Sequence, residues 1–401
     1  MPKKAVVFCG DFNSHLWLET AIKSVTRHNS HIRFYIINED FPQEWFAYLR
    51  EYLDQCHCDI QDIKIPQEYV QELALFEGTM PYQAFFRFLI PLFIPDERVL
   101  YLDTDVLVTQ DLAPLFEIDL QDKLLGAVRE PADTGAYLGL KDYFNSGVLL
   151  INNKAWQEQN LYEHLVQTTH EKLAEVLYAD QSILNLICQG HWLQLPHTYN
   201  YLVGIELHWA LDKRPDLIAF RDSYPAIAHF AGPNKPWKTK LYSRFRDLWW
   251  RYHDLNWIDI VRNVSLAPRQ THDILLLVSS DQLLYIEEIL QQNKEVTFHI
   301  AAHTLMSPKL KNLIAHSNCK VYESISDYAL EEILDKCQAL LEISPFANVN
   351  HILERGLTLN KTIISWEDCW MQPHEQVFSL KAGDLKAMKA AINQALALPL
   401  S

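Results

Sequence analysis

The chain has 401 residues, of which 49% are hydrophobic and 21% charged, and its formal net charge is −16. That balance excludes wholesale disorder and gives length for one or two domains with sizeable cores. It also argues against nucleic acid as a partner, because phosphate backbones call for a basic face. An anionic ligand would have to be met by a local device, a metal or a few lysines.

The seven cysteines, Cys9, Cys56, Cys58, Cys188, Cys319, Cys337 and Cys369, are odd in number and scattered, and Cys56 and Cys58 have no second pair with which to hold zinc. Met1-Pro2-Lys3-Lys4 runs at once into a strand without the apolar core of a signal peptide. No run reaches the ~18 apolar residues that cross a bilayer. These features fit a reducing cytoplasm and no transmembrane segment.

Ala5–Cys9 reads as a short strand, followed by Gly10-Asp11-Phe12-Asn13-Ser14 and an amphipathic helix near 16–28. Ile32–Ile37 is the next strand, and 43–55, 70–75 and 82–92 are helical patterns. In Arg98–Val108 apolar residues run into Asp103-Thr104-Asp105 and resume at once. This stretch reads as one buried, parallel-type strand delivering two carboxylates at its carboxyl end. Residues i and i+2 of an extended chain point the same way, so both acids can face one cation. The alternative is a strand running into a turn, with Asp capping the backbone. Two acids on an apolar strand are costly unless paired or metal-bound, and carboxylate-held Mg²⁺ or Mn²⁺ is commonly shared with substrate phosphates.

Leu124–Glu130 is apolar, and Tyr143–Asn152 reads as a buried strand entered through a polar turn. A helix follows near 155–173, then Ala179–Asn185 with Asp180 as a candidate N-cap, then an irregular aromatic stretch, Pro196–Tyr201. Ala226–Trp237 delivers His229 at the end of a short strand, followed by Gly232, which permits close backbone approach, and by Lys235 between two prolines. Histidine suits a third Mn²⁺ ligand and lysine suits phosphate, the alternative being a purely structural histidine. Residues 241–262 combine Trp249, Trp250 and Trp257 with Arg244, Arg246, Arg251 and Arg262, a pattern for peripheral membrane contact or for interdomain packing. Strands alternating with helices predict a mostly parallel α/β sheet whose ligands lie outside the carboxyl ends of its strands. Gly10-Asp11 and Asp103-Thr104-Asp105 should then share one crevice.

Leu266–Thr271 reads as a linker, after which strands are expected at 274–278, 296–300, 320–322, 339–343, 362–365 and 376–380, with helices between most of them. The expected division is 1–265, with a helical stem over 241–265, and a smaller doubly wound α/β domain over 271–401. The second part has no G-x-G-x-x-G, P-loop or D-x-D. Glu342, Asn348, Asn350, His351 and Glu354 cluster around a strand end, as a small site or as solvated loop polarity.

VFCGDFN (Val7–Asn13), FFRF (Phe85–Phe88), LYLDTDVLV (Leu100–Val108), YFNSGVLLIN (Tyr143–Asn152), ADQSILN (Ala179–Asn185) and HFAGPNKPW (His229–Trp237) occur in this order. Together they resemble the family 8 glycosyltransferases, retaining enzymes of the GT-A fold, Rossmann-like with a mostly parallel sheet, that use nucleotide sugars and Mn²⁺. The resemblance implies that Asp103, Asp105 and His229 bind Mn²⁺, with Mg²⁺ as the alternative, bridging the diphosphate of a UDP-sugar. Cys9, Asp11 and Asn13 would line the uridine pocket, with Ser14 where an aromatic is often found; Thr104 belongs to the same nucleotide-binding set. Gly232 and Lys235 would hold the diphosphate, and Arg87, Asn145, Asp180 and Gln181 would face the sugar. Gln181 takes the position usually nearest the anomeric carbon, and an amide is a poor nucleophile. Front-face substitution is therefore expected rather than the double displacement that needs a carboxylate there.

Ala339–Ser344 with Asn350–Glu354 resembles the donor-side half of a GT-B enzyme that has lost its nucleotide site. The two-part layout is similar to bacterial enzymes that extend O-glycans on serine-rich repeat adhesins. The expected partners are UDP-galactose or UDP-glucose and a glycopeptide or glycan acceptor, with a lipopolysaccharide-type acceptor in competition. A metal-dependent phosphohydrolase or nucleotidyltransferase, and a non-catalytic carbohydrate-binding scaffold, are the rival classes.

Overall fold

A computed structural model describes residues 3–78, 80–131, 134–205, 223–233, 235–238, 242–266, 271–346, 351–369 and 374–398. Asn234, Leu241, the linker residues 267–270, and Asn348 and Asn350 of the C-terminal polar cluster lie outside the described residues. The chain forms two compact units, Met1–Pro236 with Phe245–Leu266, and Trp237–Arg244 with Ala267–Ser401.

The first unit contains β1 (Lys4–Cys9), β2 (Ile32–Asn38), β3 (Asp59–Lys64), β4 (Arg98–Leu102), β5 (Val106–Val108), β6 (Leu125–Arg129), β7 (Phe144–Asn152), β8 (Trp192–Gln194), β9 (Tyr201–Leu202) and β10 (Ile227–His229). Seven strands form a large sheet in the order β3-β2-β1-β4-β7-β6-β8, parallel except where β7 runs antiparallel to β4 and β6. The pleat turns alternate side chains to opposite faces, and here both faces are covered. Val99 and Tyr101 enter one core with Val7 and Leu149, while Leu100 and Leu102 enter the other with Val6, Phe8 and Leu150. This is the predominantly parallel α/β architecture expected of the N-terminal part.

Arg98–Val108 is not one strand. β4 ends at Leu102, residues 103–105 turn, and β5 leaves for a separate three-stranded sheet of order β5-β10-β9. The switch is visible in the hydrogen bonds: Asp103 N–H still donates to Gly147 O on β7 (2.8 Å), whereas Asp105 O already accepts from Phe230 N–H (3.0 Å), beside β10. The two aspartates therefore converge through a turn, not through the same-face alternation of an extended chain. β3 was not expected either; its sequence DIQDIK buries only Ile60 well and lies at the sheet edge.

Helices cover Arg246–His253 and Trp257–Val261. Trp249 and Trp257 are buried, Trp257 Nε1 donating to Glu19 Oε1 (2.8 Å) on the helix His15–His28. Two of the three indoles that would enter lipid, Trp249 and Trp257, are thus interior to the first unit, which counts against the membrane-contact expectation, while Trp250 is half-buried. Among the described residues no helix is long and apolar enough to cross a membrane.

The second unit is built on β11 (Asp273–Leu277), β12 (Thr297–Ala301), β13 (Cys319–Tyr322), β14 (Ala339–Glu342), β15 (Thr362–Trp366) and β16 (Val377–Leu380). All pairs are parallel in the order β13-β12-β11-β14-β15-β16, a doubly wound sheet. Ile274 and Leu276 pack on one face and Leu275 and Leu277 on the other. Glu342 is buried at the end of β14 with Ser344 N–H donating to it (3.0 Å), while His351 is exposed.

Candidate active site

Strand register brings the site together. His229 stands opposite Val106 in the β10–β5 pair, which sets its imidazole beside Asp105, and Leu102 stands opposite Val148, which sets Asp103 beside Gly147. β7 carries a register shift against β6 next to Asn145, a bulge that bends the strand where it meets the turn. His229 Nε2 lies 3.2 Å from Asp105 Oδ1 and 3.6 Å from Asp103 Oδ2. One ligand atom from each of the three residues falls within 4.8 Å of the others, a donor set of two carboxylates and an imidazole suited to Mn²⁺ or Mg²⁺. Gly147 makes the space for it: a Cβ there would stand 2.1 Å from His229 Cε1 and 2.7 Å from Asp103 Oδ2.

Arg87 lies behind the acids. Its guanidinium is 2.9 Å from Asp103 Oδ1 and 3.2 Å from Asp180 Oδ2, donates to Ser146 O (2.7 Å), and covers the Tyr101 ring at 4.5 Å. Burial works against the guanidinium's charge, but Asp103 and Asp180 outweigh it and hold the proton more tightly than usual. The same pairing does not lower Asp180. Burial pushes its carboxyl up to about 6, with Asp103 adding to the shift and Arg87 only opposing it. Asp105 goes the other way: burial would raise it, yet Lys235 and His229 hold it well below the usual carboxylate range. The Lys235 ammonium pairs with Asp105 Oδ2 and donates to Phe230 O (2.5 Å).

Asp180 is not the helix cap expected of it. Tyr178 occupies that place, and Ala179, with φ of 37°, puts Asp180 and Gln181 in the first turn of the helix Ala179–Ile187. A non-glycine residue in this left-handed region is strained, and such strain is often found at functional sites. Gln181 Oε1 accepts from Ser146 N–H (3.0 Å) and from Asn145 Nδ2 (3.2 Å).

These groups border an open cleft of about 1120 Å³, lined by Arg87, Asp103, Asp105, Asn145, Asp180, Gln181, His229, Gly232 and Lys235, with Met80, Tyr137 and Tyr178 among its apolar and aromatic wall. Cys9, Asp11, Asn13 and Thr104 are not part of that lining. Asn13 donates to Asp11 Oδ2 (3.0 Å) on the turn after β1, and a Cβ on Gly10 would come 3.7 Å from Thr104 Cγ2, so this turn abuts the Asp103–Asp105 turn. Ser14 is buried and donates to Asp11 O (2.6 Å). The Cys9 thiol is pushed far up by burial.

Two residues of the site carry no assignment from sequence. Glu130, just past β6, lines the cleft, accepts from Asn145 Nδ2 (2.8 Å) and has its carboxyl pushed up by burial. Its place at the end of an apolar strand was a usable signal. Asn200, fully buried before β9, links His229 to Asn145 and had no signal in its irregular surroundings.

The family described as glycosyl transferase family 8 matches residues 5–240, which include every member of this cluster. The chain belongs to glycosyltransferase family 8. A second family, the GftB/GlyA-F C-terminal domain, matches residues 274–399. This family 8 chain is 34% identical to glycosyltransferase GlyA of Streptococcus pneumoniae serotype 4, over 91% of its own length but 53% of that protein. It is also 34% identical to glycosyltransferase GlyF of the same organism, over 91% of this chain and 92% of that one. It thus spans about half of GlyA and most of GlyF. The crystal structure of apo glycosyltransferase GlyE from Streptococcus pneumoniae TIGR4 matches with a TM-score of 0.57 at 32% identity, covering 98% of this chain and 99% of that one. The arrangement of a GT-A fold followed by a second α/β domain is that of two-domain family 8 glycosyltransferases.

Proposed function

We propose that this family 8 glycosyltransferase moves a hexose, galactose or glucose, from a UDP-sugar to a glycan acceptor with retention of anomeric configuration. The observation that carries the reading is the convergence of Asp103, Asp105 and His229 at the base of a cleft that also holds Arg87, Lys235 and the amides of Asn145 and Gln181. A divalent cation held by those three residues, Mn²⁺ by preference, would supply positive charge to the departing diphosphate. Lys235, paired with Asp105, adds a positive charge on the same side, with Gly232 allowing the backbone to come close. Arg87 holds Asp103 and Asp180 in place. Asp180, Gln181 and Asn145 then orient sugar hydroxyls, and Cys9, Asp11, Asn13 and Thr104 border the nucleoside.

Double displacement would need a free carboxylate beneath the anomeric carbon. The carboxylates facing the cleft away from the cation ligands are engaged, Asp180 with Arg87 and Glu130 with Asn145 and Gln181. Front-face substitution, in which the leaving phosphate takes the acceptor proton, is the reading these contacts favour. For the acceptor, the two-part layout supports a glycan already borne on Ser or Thr of a serine-rich repeat protein.

The test is UDP release from UDP-galactose and UDP-glucose with Mn²⁺, with and without a glycopeptide or a lipopolysaccharide-type acceptor, and the same with Asp105→Ala. Release that needs Mn²⁺, Asp105 and a sugar acceptor supports the reading, and the acceptor that restores it decides between the two glycan classes. Nucleotide turnover indifferent to acceptor, or a trapped glycosyl-enzyme, would overturn the transfer or the front-face step respectively.

A further inference from the structure

The hydrogen-bond chain behind His229 has a direction that a single backbone group determines. Gly147 N–H can only donate, and the atom 2.9 Å from it is Asn145 Oδ1, so the oxygen of that amide faces the backbone. The same oxygen lies 2.8 Å from the Asn200 side chain, which must therefore present its NH₂. The other end of the Asn145 amide agrees, its Nδ2 donating to the Glu130 carboxylate at 2.8 Å. With its NH₂ so committed, Asn200 turns its carbonyl oxygen to His229 Nδ1, 3.0 Å away. An oxygen cannot donate, so Nδ1 carries the proton. In the neutral imidazole the atom then left with a lone pair is Nε2, the one that faces Asp105 and Asp103. Asn200 is 0% exposed and His229 2%, so water does not compete for these bonds.

We infer that Asn200 is a positioning residue that holds His229 in its Nδ1–H tautomer and aims the Nε2 lone pair between Asp103 and Asp105. The inference deepens the reading of that cluster as a cation site and rests on it. The imidazole must be neutral at Nε2 to bind a cation, and a fixed partner on the other nitrogen orients the ring and raises its basicity. Because the same Asn200 amide also orients Asn145, one buried residue links the cation ligand to the groups that face the sugar.

Two measurements test it on the full chain. Nitrogen NMR of histidine-labelled, metal-free protein, at a pH where the imidazole is neutral, is expected to show Nδ1 protonated and Nε2 unprotonated for His229; the reverse tautomer overturns the inference. Mn²⁺ binding by electron paramagnetic resonance is expected to weaken about ten- to a hundredfold in Asn200→Ala and Asn200→Leu. Asn200→Asp, which still accepts from Nδ1–H but cannot donate to Asn145 Oδ1, should retain more Mn²⁺ affinity than Asn200→Leu, since carboxylate–histidine–metal arrangements are common. Equal Mn²⁺ affinity in the parent, Ala and Leu forms sinks the proposal. Failure of the parent to bind Mn²⁺ sinks the cation reading instead, and the tautomer result then stands or falls separately.

Discussion

Arg87 bridges two carboxylates that arrive from different elements, 2.9 Å from Asp103 after β4 and 3.2 Å from Asp180 in the first turn of a helix. Removing one partner of a buried ion pair leaves the others uncompensated, at a cost of about 3–5 kcal/mol. Arg87→Ala is expected to lose stability on that scale in urea unfolding. Arg87→Lys should recover only part of it, because a single ammonium cannot match a guanidinium that meets two acids and a carbonyl. A neutral result for Arg87→Ala would mean that the pair is solvated in solution.

Gly147 offers a steric test of the cation site. Its absent Cβ would overlap His229 Cε1 and crowd Asp103 Oδ2. Gly147→Ala should displace the imidazole and weaken Mn²⁺ binding by at least about tenfold, the scale of losing a supporting contact in a metal site. Because Gly147 is buried within β7, circular dichroism and urea unfolding of the variant should accompany the binding measurement. Unchanged Mn²⁺ affinity would show that His229 is not a ligand.

A substitution at Asp180 distinguishes the proposed sugar-facing role from a nucleotide-binding one. It touches Arg87 and Ser146 but none of the cation-facing atoms of Asp105 or His229. Asp180→Ala is therefore expected to cut transfer by orders of magnitude while UDP binding, followed by calorimetry, stays nearly intact. A matched loss of UDP affinity would assign Asp180 to the nucleotide or the metal.

Much of this arrangement was legible in the sequence because fully buried strands read as apolar runs, as β11 and β14 of the second unit do. Asp103, Asp105 and His229 stand out because each interrupts such a run. The change of sheet between β4 and β5 was hidden by the same property: the run resumes at Val106, and Asp-Thr-Asp contains neither Gly nor Pro to mark a turn. β3 was missed because an edge strand with one solvated side keeps charged residues, Asp59 pairing with Arg33 (3.1 Å). Asn200 was missed for a different reason. Its meaning comes from Asn145 and His229, which only the folded chain places beside it.

The second unit carries a pH signature of its own. Burial pushes the Glu342 carboxyl from its ordinary value near 4.5 up to about 7. Between those values the folded chain holds a proton that the unfolded chain has released. The stability it confers is complete below 4.5 and is lost as pH rises through about 7, with a slope of at most about 1.4 kcal/mol per pH unit. Comparing urea midpoints of the parent and Glu342→Gln from about pH 5 to about pH 8 isolates this group, and parallel curves would show that it titrates normally.

Asp103 directly follows β4 of the wide sheet, whereas Asp105 directly precedes β5 of the narrow one and His229 ends β10 of that same sheet. A cation gripped by all three would stitch two sheets that are otherwise joined here by a tight turn. Its loading should then register as a rise in melting temperature even when no nucleotide is present, since whatever binds the native state alone stabilises it.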